Sequence, residues 1–240
     1  MQLIVSHNIE DALVLPLGYH HIIQSILFHA LEQDAEYCSF MHDVGIGVGK
    51  RKYKLFTFSL LSGKYRVKGN EIVFYEKVTF EIRSIEKRFL EMLKKYFEIN
   101  GITYGDKHYE DVKAELRDVI PDSEEMVIYT RSPICVYSTD AETKKTIYYH
   151  PGDPEFGKRI NDSFRRRYIA YFGIEPAEDI SIRVESVSPK DKYVTRYKGF
   201  YITAWKGTYV LKGKKEYLHF LYQTGLGCKT AQGFGLFEIL

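Results

Sequence analysis

The sequence predicts an α+β protein with two ferredoxin-like (RRM-like) βαββαβ units in tandem and a glycine-rich loop near the C-terminus. Two observations favour this fold class. The order strand, helix, strand, strand, helix, strand occurs twice along the 240 residues, and it is the order of the split βαβ unit. Four of the 18 glycines fall within residues 225–235, between a predicted helix and a predicted strand.

The first predicted unit covers residues 1–120. Apolar and polar residues alternate at the end of segment 71–83, which predicts a half-buried strand, because successive side chains of a strand point to opposite faces. Apolar residues three and four apart at 19–37 predict a helix. Ser84 is predicted as the N-cap of a second helix that ends near Gly101. The predicted strands are 2–6, 55–61, 71–83 and 108–119.

The second predicted unit covers residues 121–240. Asp153 followed by Pro154 is typical of an N-cap and the first helical residue, and Gly173 is predicted to end the helix that follows. A second, shorter helix is predicted at 214–223. The predicted strands of this unit are 126–137, 180–184, 200–211 and 234–240.

Composition excludes several classes of protein. With 45% hydrophobic and 28% charged residues the chain is globular, and no apolar run reaches the roughly 20 residues of a membrane span. The first basic residue is Lys50, so no signal peptide is expected. Cys38, Cys135 and Cys228 are widely spaced and odd in number, which favours a reducing cytoplasm. No metal-ligand spacing occurs, so neither a metal nor another cofactor is expected.

Basic residues are clustered although the net charge is only +2. Residues 50–68 contain Lys and Arg but no Asp or Glu, and residues 165–167 are three consecutive arginines. Local basic clusters on a nearly neutral chain are typical of a patch that binds a polyanion, and ordinary solvated surface is the alternative for each cluster.

The glycine-rich segment is the strongest local motif. It is neither a P-loop nor a dinucleotide-binding fingerprint, because its spacing and its place between a helix and a strand differ from both. Clustered glycines permit positive φ and close backbone approach, so a loop that contains Lys229 is suited to hold a phosphate chain. A tight turn without ligand is the alternative, and both interpretations stay open.

This motif can be written G-h-G-x-x-x-x-x-G-h-G-h-h, where h is an apolar residue and x is any residue. It resembles the C-terminal motif of the CRISPR-associated RAMP superfamily. The chain more closely resembles the family of endoribonucleases that cut CRISPR precursor RNA within its repeats. Pro-Leu-Gly-Tyr-His-His at 16–21 resembles the start of that family's first helix, and His-Asp-Val at 42–44 followed by segment 54–60 resembles its catalytic loop and second strand. Thr-Ala-Trp at 203–205 resembles a strand of its second half.

The resemblance implies metal-independent RNA cleavage. In that reaction a 2′-OH attacks the adjacent phosphate and leaves a 2′,3′-cyclic phosphate and a 5′-OH. The step needs a base for the 2′ proton, an acid for the 5′ oxygen and a cation for the extra negative charge. The implied partner is CRISPR repeat RNA, and a CRISPR effector complex and a homodimer are partners that the resemblance leaves open.

The resemblance also implies the reacting residues. His42 matches the family's general acid or base, and Lys54 matches its catalytic lysine, with Lys50 and Lys52 close enough in sequence to replace it. Phe28 stands where some members place a catalytic tyrosine, and a phenyl ring cannot transfer a proton.

Two hypotheses follow from Phe28. Either His42 and a lysine act alone, or a neighbouring group such as His29 or Tyr37 takes the second proton-transfer role. On an ideal helix His29 points about 100° away from Phe28, so it is no simple replacement.

Basic side chains and the glycine loop are the implied RNA contacts. The predicted RNA-binding residues are Lys50, Arg51, Lys52, Arg165, Arg166, Arg167, Lys192, Arg196, Lys198, Gly225, Gly227, Lys229, Gly233 and Gly235. The alternative function is a non-catalytic RAMP-type subunit that only holds RNA, which Phe28 favours. A ferredoxin-like protein without RNA is a third alternative, which the glycine motif disfavours.

Overall fold

The computed structural model describes residues 1–41, 45–48, 51–197 and 199–240, and of Val48 and Arg51 it describes only the backbone. Among the helices of these ranges, none is both long enough and apolar enough to cross a bilayer.

The elements of the first half are β1 (Gln2–Pro16), α1 (His20–Leu31), α2 (Ala35–Ser39), β2 (Ile46–Val48), β3 (Arg51–Tyr53), β4 (Phe56–Phe58), β5 (Ser62–Lys68), β6 (Glu71–Ser84), α3 (Lys87–Asn100), β7 (Ile102–Tyr104), β8 (Lys107–Tyr109) and β9 (Val112–Arg117).

The first half forms an antiparallel sheet in the order β4-β6-β1-β9, with β5 paired to the other end of β6. The strands β1, β4, β6 and β9 with the helices α1 and α3 complete one βαββαβ unit. Leu3 and Phe80 of the sheet are buried in the same core as Leu27 of α1 and Leu93 of α3. The predicted fold class is therefore confirmed in this half.

The strand β1 is longer than the predicted strand 2–6. Its partner β6 pairs along it as far as Pro16, with a register shift between Ile9 and Leu13. The polar residues Asn8, Glu10 and Asp11 interrupt the apolar pattern and conceal this continuation. Pairing with a distant strand, not local pattern, sets the length of β1.

Two helix boundaries also differ from the predictions. Ser84 is the last residue of β6, and its hydroxyl donates to the carbonyl of Leu55 at 3.0 Å, while Glu86 is the N-cap of α3. The predicted helix 19–37 is two helices, because Asp34 caps a new one by accepting a hydrogen bond from the backbone of Tyr37 at 3.0 Å.

The second half contains a second antiparallel sheet in the order β13-β16-β10-β17. Together with α4 and α5 it repeats the βαββαβ unit and confirms the tandem fold. The elements are β10 (Glu125–Thr130), β11 (Tyr137–Thr139), β12 (Thr146–Tyr148), α4 (Pro154–Phe172), β13 (Ser181–Ser186), β14 (Lys192–Tyr197), β15 (Phe200–Trp205), β16 (Thr208–Lys212), α5 (Lys215–Thr224) and β17 (Phe237–Ile239).

The boundaries of α4 agree with the sequence: Asp153 is the N-cap, and Gly173 ends the helix in the left-handed conformation with φ of 72°. The predicted strand 200–211 is wrong, because it is two strands. The first, β15, pairs with β14 in a separate hairpin, and the second, β16, enters the sheet after Gly207. A side chain at Gly207 would meet Val187 at 2.5 Å, so the chain bends there against a close neighbour.

Polar side chains join the two halves. The guanidinium of Arg83, which is 1% exposed, donates to the carbonyl of Phe237 at 2.7 Å and lies 3.5 Å from the ring centroid of Tyr222. The hydroxyl of Thr57 donates to the carbonyl of Phe234 at 2.9 Å. These contacts bring the C-terminal loop and strand against β4 and β6. We propose residues 1–120 and 121–240 as the two domains, since segment 118–124 joins the two sheets.

Candidate nucleic-acid interface

A groove of about 680 Å³ lies where the two halves meet. Five parts of the chain line it: Gln24 of α1, segment 52–54 before β4, the strand β11, one face of α4, and the loop 227–232 after α5. Its basic lining residues are Lys52, Lys54, Arg159, Arg166, Arg167 and Lys229. A concave surface with cations from both halves is suited to the phosphates of a nucleic acid.

The glycine-rich loop is packed tightly against the protein. Gly235 has φ of +76°, and a Cβ there would lie 2.0 Å from the carbonyl oxygen of Leu226. Gly233 has φ of +84°, and a Cβ there would lie 2.3 Å from the ring of Phe58 and 2.8 Å from Nδ1 of His20. Gly225 and Gly227 also have positive φ and close protein neighbours. The structure therefore supports the tight-turn interpretation of the four glycines.

Arg167 of α4 donates hydrogen bonds to the start of this loop. Its guanidinium is 3% exposed and donates to the carbonyls of Thr224 at 2.9 Å and Gly225 at 2.8 Å. Burial lowers the pKa of Arg167 to about 10. Ser163, one turn earlier on α4, donates to the carbonyl of Gly227 at 2.7 Å. We therefore correct the prediction that Arg167 contacts RNA: its hydrogen bonds stabilise the loop.

The three consecutive arginines point in different directions, because neighbouring residues of a helix are about 100° apart. Arg166 lines the groove. Arg165 instead pairs with Glu175 at 3.1 Å and Asp179 at 2.8 Å, and it is not among the groove-lining residues. Arg165 was predicted to bind RNA together with Arg166 and Arg167, and the structure places its side chain outside the groove.

Lys229 and an aromatic side chain meet in the groove. Lys229 has φ of 59°, and its Nζ lies 5.0 Å from the ring centroid of Tyr137 in β11. A cation and an aromatic ring on one surface are suited to a phosphate and to a stacked base, respectively.

Lys54 and Phe28 are brought together although they are far apart in sequence. The Nζ of Lys54 lies 4.5 Å from the ring centroid of Phe28 on α1, which is within the range of a cation–π interaction. The ring of Phe28 in turn meets the ring of Phe56 edge-on, with 6.2 Å between centroids. Packing of α1 on β4 thus sets the place of Phe28 and, through it, of Lys54.

A second cavity of about 570 Å³ lies between α1 and α2, and it is lined by Phe28, the residue that contacts Lys54 of the groove. His29 lines it, and Nδ1 of His29 is 2.9 Å from a carboxylate oxygen of Glu32. Both side chains are exposed. The cavity therefore holds an imidazole with an adjacent carboxylate beside the position where the family tyrosine is absent.

Tyr37 is unsuited to the second proton-transfer role. It is 8% exposed, and its hydroxyl finds no partner among the described side chains and backbone. Burial raises the pKa of Tyr37 to about 12. The guanidinium of Arg88 covers its ring at 4.4 Å, so Tyr37 is a core residue of α2 and we correct the proposal that it transfers a proton.

Three predicted residues, His42, Lys50 and Lys198, lie outside the described residues, and the side chain of Arg51 does as well. Lys192 and Arg196 are exposed on β14, where Arg196 pairs with Tyr201 of β15. These two basic residues are on the hairpin and do not line the groove.

Sequence reasoning missed the role of His20. The imidazole is 1% exposed, its Nδ1–H donates to the carbonyl of Gln232 at 2.9 Å, and its Nε2 accepts from the hydroxyl of Tyr193 at 3.0 Å. Burial lowers the pKa of His20 to about 4, so the ring is neutral. It stacks on Phe234 with 4.8 Å between centroids. The motif at 16–21 was the signal for this contact between α1 and the loop.

Arg159 was also missed, although it lines the groove from α4 about two turns before the three consecutive arginines. It pairs with Glu155 at 3.2 Å, which is an ordinary spacing for a solvated helix face. Within the described part of the chain, no three His, Cys, Asp or Glu side chains lie together as a metal site requires.

Comparison with known proteins identifies the family. Residues 113–239 match the family model described as "CRISPR associated protein Cas6, C-terminal". No curated protein sequence matches the chain.

Several solved structures share the fold over all of this chain. "CRISPR associated protein Cas6" has a TM-score of 0.81 at 20% identity, with 99% of that chain covered. A structure titled as a Cas6-related gene product from Pyrococcus furiosus and one titled "An RAMP protein binding different RNA substrates" each have a TM-score of 0.80 at 21% identity, with 98% covered. Since the matched residues 113–239 make up more than half of its sequence, the chain belongs to the Cas6 family.

Proposed function

We propose that this protein is a metal-independent endoribonuclease that cleaves CRISPR precursor RNA within its repeats. The observation that carries the proposal is the contact between Lys54 and Phe28, because Lys54 lines the basic groove and Phe28 lines the cavity beside it. An RNA strand that follows the groove would pass a cation at the edge of a cavity that contains an imidazole.

The proposed step is an in-line displacement at phosphorus. A base takes the proton of the 2′-OH, the 2′ oxygen forms a bond to the adjacent phosphorus, and the bond to the 5′ oxygen breaks. The 5′ oxygen takes a proton, so the products are a 2′,3′-cyclic phosphate and a 5′-OH. Because the nucleophile is already attached to the substrate, positioning of the strand supplies much of the rate.

We assign one proton transfer to His42, whose family motif and imidazole suit general acid–base catalysis near neutral pH. The Lys54 ammonium would stabilise the extra negative charge on the phosphate. His29 is the candidate for the second proton transfer, since it lines the cavity beside Phe28 and Glu32 lies 2.9 Å from its Nδ1, where the carboxylate can orient the ring.

The second half would bind the strand. Arg166, Arg159 and Lys229 line the groove, and Tyr137 offers a ring for stacking. The exposed basic residues of β14 would extend this surface to the hairpin. In this arrangement the domain 1–120 carries the reacting groups and the domain 121–240 holds the RNA.

A second candidate function is RNA binding without cleavage, as a subunit of a CRISPR effector complex. Phe28 favours it, because a phenyl ring has no proton to transfer. It is also consistent with the structural neighbour titled as a RAMP protein that binds different RNA substrates.

Cleavage of repeat RNA tests the proposal. Purified protein is incubated with repeat RNA from its own genome, with and without EDTA, and the products are analysed for a cyclic phosphate. We expect equal cleavage under both conditions and none when the scissile nucleotide is 2′-deoxy. RNA that is bound but never cut supports the binding subunit, and cleavage that is lost in EDTA and restored by Mg²⁺ contradicts the mechanism.

A further inference from the structure

Two cysteines face each other across the base of the glycine-rich loop. Cys135 and Cys228 are about 90 residues apart in sequence and form an isolated antiparallel β-bridge. The backbone N–H of Cys228 donates to the carbonyl of Cys135 at 2.8 Å. Directly opposed residues of antiparallel strands have Cα atoms about 4.5–5.5 Å apart, which lies inside the range of about 4.4–6.8 Å that disulfides span.

The two thiols differ in access. Cys135 is fully buried among Tyr197, Ile202 and Phe234, whereas Cys228 is partly exposed and lines the basic groove. Burial raises the pKa of the Cys135 thiol. Cys228 is therefore the thiol that a dissolved oxidant reaches first, and Cys135 is the only cysteine directly across the chain from it among the described residues.

We propose that Cys135 and Cys228 form a reversible disulfide under peroxide, which fastens the glycine-rich loop to segment 134–136. Cys228 attacks one oxygen of hydrogen peroxide, giving a sulfenic acid and water. The sulfur of Cys135 then attacks the sulfur of Cys228, the S–O bond breaks, and a second water leaves with the proton of Cys135. In total, two thiols are oxidised by two electrons and one peroxide is reduced to two waters.

The accessibility of Cys228 favours a disulfide that thiols can reduce. Thiol–disulfide exchange requires that a thiolate reach one sulfur of the bond, and Cys228 is partly exposed in the groove. We therefore expect an intact pair of thiols in a reducing solution and a disulfide only after oxidation.

Peptide mapping under non-reducing conditions tests the proposal with full-length protein. Protein treated with hydrogen peroxide should yield one linked peptide pair, Cys135 with Cys228, which dithiothreitol separates. Because the bond closes a loop of about 90 residues, the Tm of the oxidised protein should rise by roughly 5–10 °C and return on reduction. Cys135→Ala and Cys228→Ala should abolish both effects.

Cys38→Ala is the matched control, since Cys38 lies on α2 in the first half and donates to the carbonyl of Phe28. It should leave the linked peptide and the Tm shift unchanged. Melting of each reduced variant gives its own baseline, so a loss of stability from Cys135→Ala is separated from a loss of the bond. Oxidation of Cys228 to a sulfinic acid without a linked peptide, or a link through Cys38, would overturn the proposal.

Discussion

At the scale of single residues, substitution of His42 tests the proposed proton transfer. We expect His42→Ala to lower the cleavage rate at least about 10²-fold with near-normal RNA affinity, because general acid–base catalysis contributes on that scale. Single-turnover cleavage measures the rate, and RNA binding on the same preparation measures the affinity. If His42→Ala cuts normally while His29→Ala does not, the imidazole of the α1–α2 cavity carries the role instead.

Lys54 gives a second residue-scale prediction. Lys54→Met should lower the cleavage rate about 10²-fold, since the cation beside Phe28 no longer stabilises the charged phosphate. Lys52→Met is the matched control, because Lys52 lines the same groove whereas the cation over the Phe28 ring is that of Lys54. Lys52→Met should weaken RNA binding and leave the rate at saturating RNA unchanged. Equal loss of rate in both variants would contradict the assignment of Lys54.

At the scale of elements, the glycine loop should respond to substitution through stability. Gly233 and Gly173 both have positive φ, but only Gly233 meets a neighbour, and Gly173 has no atom within 4 Å of an added Cβ. Gly233→Val should therefore lower the free energy of unfolding by about 1–3 kcal/mol more than Gly173→Val. Denaturant unfolding of both variants measures this difference in the free energy of unfolding. Unchanged stability with weaker RNA binding in Gly233→Val would instead support a direct contact with RNA.

The helix α4 allows a matched test of RNA binding. Arg166 lines the groove and Arg165 is paired with Glu175 and Asp179 outside it. Arg166→Ala and Lys229→Ala should each lower the slope of log affinity against log salt by about 0.7–1 unit, since each removes one phosphate contact. Arg165→Ala should leave the slope unchanged. Salt titrations of RNA binding measure these slopes. A wild-type slope in Arg166→Ala would exclude a phosphate contact by Arg166.

For the whole molecule, His20 links stability to pH. Its pKa is about 4 when folded and near 6.5 when unfolded, so between these values the unfolded chain binds more protons. The contribution of His20 is therefore fully present above pH 6.5, and roughly 3 kcal/mol of it is lost as pH falls to 4.

The variant His20→Gln isolates this contribution. His7 is also buried with a lowered pKa and acts in the same direction, so the measured quantity is the difference between wild type and His20→Gln at each pH. Urea melts from pH 7 to pH 4 should show a difference that shrinks as the pH falls. A difference that does not depend on pH would mean that His20 is not held neutral between the halves.

Much of the fold was predictable from local pattern. The start of α4 at Asp153–Pro154, its end at Gly173 and the repeated βαββαβ order follow from capping residues and apolar spacing, which act within a few residues. The length of β1 and the division of segment 200–211 were not predictable, because distant strands decide which backbone groups find partners.

The candidate site was predictable in its residue types and not in its contacts. The basic clusters, the glycine motif and the motif at 16–21 are visible in the sequence, and they indicate an RNA-processing family. Only the tertiary structure shows that Arg167 is buried and donates to the loop carbonyls, that Arg165 lies outside the groove, and that His20 spans the two halves.

By itself, the sequence determined the order of elements, the tandem fold and the family resemblance, because periodicity, caps and glycine spacing are local properties of the chain. Tertiary structure alone decided that Lys54 meets Phe28 and that Cys135 faces Cys228. These contacts join residues far apart in sequence, and their closeness depends on how two sheets and their helices pack. No local pattern records that packing, since the same residue types at the same spacing fit either a solvated surface or a buried contact.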